Sequence, residues 1–405
     1  MWRRHGIAKS VVALKVQKTW QDFPEITDGE KDDKKSDKPK TAFEKDLQVL
    51  IKKHKLFPRL KALDLRQRVG RYGGLIIIAK EPMNQQPKPE EQIRAGGINS
   101  LIKLVPTFES QLIVNPSHIV ADIANPHYGN PTQYEYKAWV AGTRSPLEQR
   151  TTNLHWSRVF AWGEGADDGT IFGIPCLEGC FNALLDLEKI RAASAEGHYK
   201  NAKQRTVLNI NDNQVAQALT GDAKEAFDDN IDDFSRGFDS MLNTYGMDVQ
   251  TLNPTLADPT QPFTIALNEI ASSEGYPSTI LIGQQTGRLA SDEDQSHFGQ
   301  LINSRRQNEV TDMITEFLEH LISIGAMSPP DKEIVIEWPD VTEPTVKDKL
   351  ELGKMMTEIN ERDLKAGGSG DIFSAEEIRD AAGYEMELSS DGDPLDGYSE
   401  GTEQE

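Results

Sequence analysis

Cysteine is almost absent from this chain of 405 residues. Cys176 and Cys180 are its only two, four apart in a helical pattern. With no second pair to complete a metal or disulfide framework, they read as small buried side chains of a reducing compartment. Long apolar runs are missing as well. The strongest, "GGLIIIA" at 73–79, is far too short to cross a bilayer. The opening "MWRRHGIAKSVVALKV" is basic, but Lys9 and Lys15 break its apolar part and no small-residue cleavage site follows. No secretory signal is expected there. Positive charge is the third shortage: 44 Lys and Arg stand against 65 Asp and Glu, a net charge of -21. Sequence-reading DNA binders gain affinity by neutralising phosphates, and so acidic a chain does the opposite. It also repels anionic membranes. One DNA-related role survives, that of a surface past which DNA moves without sticking.

Enzymatic signatures are equally thin. The stretch "PSTILIGQQTGRLASDEDQS" (277–296) carries two glycines four apart, Gly283 and Gly287, which raises the question of a phosphate-cradling loop. It lacks the four-residue spacer, the Lys and the following Ser/Thr of such a loop. Arg288 and Leu289 stand in those places, so no ATP site and no cofactor are expected. No "GxSxG" or "HExxH" occurs, and His118, His127, His155 and Arg158 have no partners at metal or triad spacing. The sharpest rival is "FDDNIDDF" (227–234), where Asp228, Asp229, Asp232 and Asp233 fall one helical turn apart. Such carboxylates can hold Mg²⁺ against a diphosphate. The motif resembles the acidic motif of prenyl-transferring enzymes, although no second cluster faces it. The alternative is a solvated acidic face behind the apolar stripe Phe227, Ile231, Phe234 and Phe238. A Mg²⁺-dependent enzyme and a monomeric α+β binding module therefore remain as rival readings.

What is present supports a real core: 37% of residues are hydrophobic and 27% charged. The length allows two or three ordinary domains or one large multi-part subunit. Periodicity predicts helices at 6–18 and within 43–65, a buried strand at 72–80, and short strands through 101–163. A polar run at 27–40 reads as loop. A helical pattern follows at 175–202, then a strand at 205–210 and an amphipathic helix at 222–245. Another helix is expected at 263–277, a strand-like "TILIG" after it, and a long helix from Gln295 to Ile324. The last expectations are a strand at 332–339, a helix at 345–366, and a short helix opened by Ser374 with Glu377 as a capping box. From Glu385 onward the tail is acidic, with no Lys or Arg.

Several of these stretches, read in order, resemble the portal (head-to-tail connector) proteins of tailed bacteriophages. They are "GIAKSVVALKVQKTWQDFPEI" (6–26), "RYGGLIIIAK" (71–80), "NPHYGNPTQYEY" (125–136), "LHWSRVFAW" (154–162), "FGIPCLEGCFNALLDLEKIRAASAE" (172–196) and "IASSEGYPSTILIGQQTGRLASDEDQSHFGQLINSRRQNEV" (270–310). The resemblance covers most of residues 1–325. It implies an α+β portal fold, divided as a wing (1–174), a first stem helix (175–202), a clip (203–255) and a second stem helix (256–276). A channel loop (277–295), a long wing helix and strand (296–344), and crown-like helices with the acidic tail (345–405) follow. It further implies a non-enzymatic ring of twelve copies at one capsid vertex, a conduit for DNA packaging and ejection. Double-stranded DNA, a terminase packaging motor, the major capsid protein and a tail adaptor would be its partners, and no membrane. Assembly would occur in the host cytoplasm and the product would reside in the virion. Gln284, Gln285, Thr286, Gly287 and Arg288 would lie nearest the DNA. The stripe Phe227, Ile231, Phe234 and Phe238 would serve as a subunit interface in the clip.

Overall fold

The computed structural model describes residues 2–29, 40–81, 88–125, 127–139, 149–166, 169–202, 205–210, 221–235, 247–252, 257–283, 288–341, 346–370 and 372–383. Two compact units emerge, residues 1–339 and 340–405.

In the first unit, α1 (Gly6–Thr19) buries Ala8, Val11, Val12 and Val16, the 3–4 spacing of one helical face. The His5 imidazole caps it by accepting from the Ala8 amide at 3.3 Å. A reciprocal Thr41/Glu44 capping box opens α2 (Ala42–His54). Lys55, held at φ 55°, turns the chain sharply into α3 (Leu56–Gln67). Leu56, Leu60 and Leu63 face inward from α3.

These helices cover an antiparallel sheet of three strands in the order β3 (Leu101–Phe108), β2 (Gly73–Ala79), β7 (Val159–Trp162). The apolar run in β2 is explained by its central place, since all but one of its residues are buried. A second antiparallel sheet runs β4 (Leu112–Ile113), β5 (Gln133–Trp139), β6 (Gln149–His155). The expected strand over 153–163 is thus two strands of different sheets, separated by a 3-10 turn at Trp156–Arg158. A two-stranded ribbon pairs β1 (Glu25–Asp28) with β10 (Ile334–Glu337) and so joins distant parts of the chain. It takes Thr27 and Asp28 from the stretch read as loop.

The helical pattern at 175–202 begins later than expected, as α4 (Phe181–Ala202), after a run of turns. Strands β8 (Arg205–Ile210) and β9 (Met247–Leu252) pair antiparallel, and α5 (Asp222–Ser235) lies between them in sequence. Next come α6 (Thr260–Glu274), α7 (Ser278–Ile282) and α8 (Arg288–Arg305). The "TILIG" stretch is helical and not a strand, which corrects the sequence expectation. Pro277 caps it, Gly283 at φ 70° stops it, and burial of Leu281 outweighs the strand preference of its β-branched neighbours.

The long helix expected from Gln295 is interrupted. A π-helical turn at Arg306–Val310 separates α8 from α9 (Thr311–Ser323). The Thr311 hydroxyl donates to the Arg306 carbonyl at 2.8 Å, and Trp338 Nε1 donates to that hydroxyl at 3.0 Å. Arg305, the last residue of α8, and Arg306, the first of the π turn, are both buried. Arg306 bonds the Thr19 and Pro339 carbonyls at 2.9 and 2.7 Å and lies over the Trp338 ring.

The second unit contains α10 (Val346–Lys365) and α11 (Ala375–Ala381). The Ser374/Glu377 capping box forms as read from the sequence. The Asn360 amide bonds both the carbonyl and the amide of Phe373, which closes the turn between the two helices.

The first unit's core joins α2, α3, α9 and the central sheet. Phe317 sits in it fully buried, edge-on to Phe160 with ring centroids 5.3 Å apart. Replacing it by Ala leaves a cavity and is expected to cost about 3–5 kcal/mol. Urea unfolding checks this, and an unchanged midpoint would contradict the packing.

Candidate functional site

The segment expected to meet DNA lies between α6 and α8. Gly275, at φ 74°, ends α6, and Tyr276 then turns inward against Phe298 of α8, ring centroids 5.3 Å apart. Two helices, α7 and α8, take up much of the stretch read as loop. The Thr279 hydroxyl donates to the Asp294 carboxylate and bridges them. Gln284, Gln285, Thr286 and Gly287 lie outside the described residues, and Arg288 opens α8.

Both ends of this segment run into one buried cluster of charges. Arg305, at the end of α8, bonds Asp64 of α3 at 2.5 and 3.1 Å and Glu164 at 2.8 and 2.9 Å. It also donates to the Thr19 hydroxyl at 3.0 Å. Glu274, at the end of α6, accepts from Arg68 at 2.6 Å and pairs with Lys15 of α1 at 3.1 Å. Arg68 reaches Glu164 at 3.4 Å and so joins the two halves. Trp20 and Gln67 donate to the Asp64 carboxylate at 2.8 and 3.1 Å. Three cations, Lys15, Arg68 and Arg305, meet three anions, Asp64, Glu164 and Glu274. Balance of this kind is what permits charge in a protein interior.

Glu164 reaches the cluster because the backbone on either side is compressed. A Cβ on Gly163 would lie 2.3 Å from the Arg71 carbonyl, and one on Gly173 would lie 2.2 Å from the Glu164 carbonyl. Only glycine fits at these two positions. Burial opposes ionisation of Glu164, but Arg305 and Arg68 outweigh it and hold the carboxyl well below the usual carboxylate range. The same burial pushes the Cys176 thiol up to about 12 despite the neighbouring Arg68. Cys180 is fully buried and its thiol is likewise raised by burial, which disfavours the thiolate form in both.

Helices α4 and α6 pack together through the buried faces Ala183, Leu184, Leu187 and Leu267, Ile270, Ala271. On α5, Phe227 and Ile231 are half-buried, Phe234 lies in the last turn, and Phe238 is outside the described residues. Asp228, Asp229, Asp232 and Asp233 are exposed on that helix. Among the described residues, no group of three or more His, Cys, Asp or Glu is placed to hold a metal ion.

The charge cluster escaped the sequence reading because its members are distant in sequence, with Asp64 and Arg305 paired across 241 residues and Lys15 and Glu274 farther apart still. One signal was there. Arg305 and Arg306 fall on the apolar period set by Ile302, Val310 and Met313, and a cation on that face must be buried.

Comparison with known proteins decides the family. A profile described as "Phage portal protein" matches residues 1–361. The chain belongs to the phage portal protein family. Solved structures agree on the fold. A chain from the neck of an empty GTA particle, computed with C6 symmetry, superposes with a TM-score of 0.55 at 15% identity, covering 95% of this chain and 91% of that one. Chains from the virion of a native gene transfer agent particle, and from its neck computed with C12 symmetry, give 0.53 at 16% identity with the same coverage. No curated protein matches the sequence at a significant level. The α+β portal fold expected from the sequence is thereby the observed one, and the family is structural rather than enzymatic.

Because the Glu164 pKa is lower in the folded chain than in the unfolded one, its ion pairs stabilise fully above about pH 4.3. That contribution is lost as pH falls toward the folded value. Glu164→Gln leaves Arg305 under-compensated and is expected to cost about 3–5 kcal/mol at pH 7. The deficit relative to wild type should shrink as pH falls below about 4. Urea midpoints taken from pH 7 down to pH 2 measure it, and a deficit that stays constant would contradict the pairing.

Proposed function

We propose that this portal subunit forms a ring of twelve copies at one capsid vertex, around a channel through which double-stranded DNA is packaged and later ejected. The observation that carries the reading is the family match over residues 1–361 together with a fold shared with a particle neck. In this reading, residues 1–174 and 296–344 form the wing, α4 and α6 the stem, 203–255 the clip, and 345–405 a short crown with the acidic tail. The ring would dock a separate terminase motor during packaging and a tail adaptor afterwards, with the major capsid protein around it.

Two physical features support the ring. A closed ring needs heterologous contacts, two different patches per copy. Large apolar side chains are exposed on and beside the stem, with Ile265 at 67% and Ile174 at 66% accessibility, as a surface awaiting neighbours would be. The net charge of -21 supports the channel, since an acidic lining keeps DNA sliding. At 284–288, neutral amides, one Arg and a glycine would touch phosphates without holding them. Phe227, Ile231, Phe234 and Phe238 would contribute to contacts between neighbouring clips.

Mass in solution is the test. Native mass spectrometry should find a species near twelve times the 45.2 kDa chain, seen as rings in negative stain. A stable monomer in every condition that assembles the capsid would defeat the reading. Within a packaging system, Gln285→Lys would add a ring of positive charge to the channel and is expected to slow DNA translocation, most at low salt. Packaging at an unchanged rate would remove 284–288 from the channel.

A further inference from the structure

The central sheet has helices of opposite charge at its two edges. On one side, α3 lies over β2 and β3. Arg59 and Arg66, seven residues apart, share one face of α3, and exposed Lys55 stands in the left-handed cap just before it. Arg3 joins them, its guanidinium 5.6 Å from the centre of the Phe108 ring, with Arg66 at 4.9 Å from the same ring. Burial and the neighbouring Arg3 and Arg59 lower the Arg66 pKa, which shows how closely the three cations crowd. None of the four has an ion-pair partner among the described residues, although acids outnumber bases in the chain. Arg66 Nε is buried with no acceptor.

On the other side, α9 packs against β7. Glu309, Asp312, Glu316 and Glu319 recur at steps of three and four along the π turn and α9. All four line two adjoining cavities of about 580 and 430 Å³, which share Glu316 and Asn130 and so form one groove. The Asn130 Oδ1 is buried there with no donor. Trp156 and His320, edge-on at 5.9 Å, lie along the same groove and offer an aromatic surface to a cation. Asp312, Glu316 and Glu319 have no cation beside them among the described residues, and burial together with their mutual repulsion raises the Glu316 pKa.

Strand register shows that the two features belong to opposite edges. Gly73 pairs with Phe108 on one side and Trp162 on the other. Phe108 lies under the cations, and Trp162 lines the acidic groove. On their helices Arg59 to Arg66 and Asp312 to Glu319 each extend about 10 Å at 1.5 Å per residue, so they match in length as well as in sign.

We propose that the basic face of α3, with Arg3, seats in the acidic groove along α9 of a second copy. The contact is heterologous and leaves the complementary patch of each copy open for the next, so it propagates around a ring. It rests on the ring reading above and adds the surfaces that join neighbours, outside both stem and clip.

A pair of charge-reversed variants tests it: Arg3→Glu/Arg59→Glu and Asp312→Lys/Glu316→Lys, each assembled alone and then mixed in equal amounts. Reversal places like charges face to face, and each variant alone should lose rings by about tenfold or more. The mixture should regain them, since the reversed face of one variant then meets the reversed groove of the other. An alternating ring of twelve closes because the number is even. Rescue on mixing also shows that both variants are folded. If wild type forms rings and either variant alone does so equally, or the mixture fails to recover them, this interface is wrong while the ring reading stands. If wild type forms none in every condition that assembles the capsid, both fall.

Discussion

The structure turns on the buried meeting of Lys15, Arg68 and Arg305 with Asp64, Glu164 and Glu274. Taking six charges out of water is expensive, and each is tolerable only while its partners are in place. The cluster therefore forms as a whole or fails as a whole. Its members come from α1, α3, the turn after β7, the end of α6 and the end of α8. The ions add to apolar packing a stricter demand, since a buried charge separated from its partner is left uncompensated.

Position gives the cluster its meaning. Glu274 and Arg305 bracket the segment that the portal reading places at the channel, and both are tied to the same Arg68–Glu164 pair. On that reading the segment needs fixed ends at its base. Tyr276 against Phe298, and Thr279 bonded to Asp294, extend the fixed base toward residues 284–287. The π turn begins right after Arg305, and its first residue, Arg306, bonds the carbonyls that end α1.

Much of the fold was legible where local pattern and burial agree. The apolar run of β2, the 3–4 spacing of α1 and the Ser374/Glu377 box each state their structure within a few residues. Legibility failed where distant contacts overrule local preference. Thr279, Ile280 and Ile282 favour a strand, yet Pro277, Gly283 and the buried Leu281 make the stretch a helical turn. The family, too, was legible, from the order of several stretches rather than from any one. The charge cluster was not, because ion pairs between residues 64, 164, 274 and 305 have no signature until the chain folds. Nor were the opposed stripes, which acquire meaning only when α3 and α9 are placed at opposite edges of one sheet.

The claim that one cluster holds both ends of the segment can be tested by amide hydrogen exchange in the Glu274→Gln variant, compared with wild type. Glu274 touches α1 and Arg68, not Arg305. If the cluster acts as a unit, loss of this carboxylate should speed exchange at the end of α6 and also at the end of α8, through Arg68 and Glu164. Faster exchange confined to the end of α6, with α8 as protected as in wild type, would contradict the account.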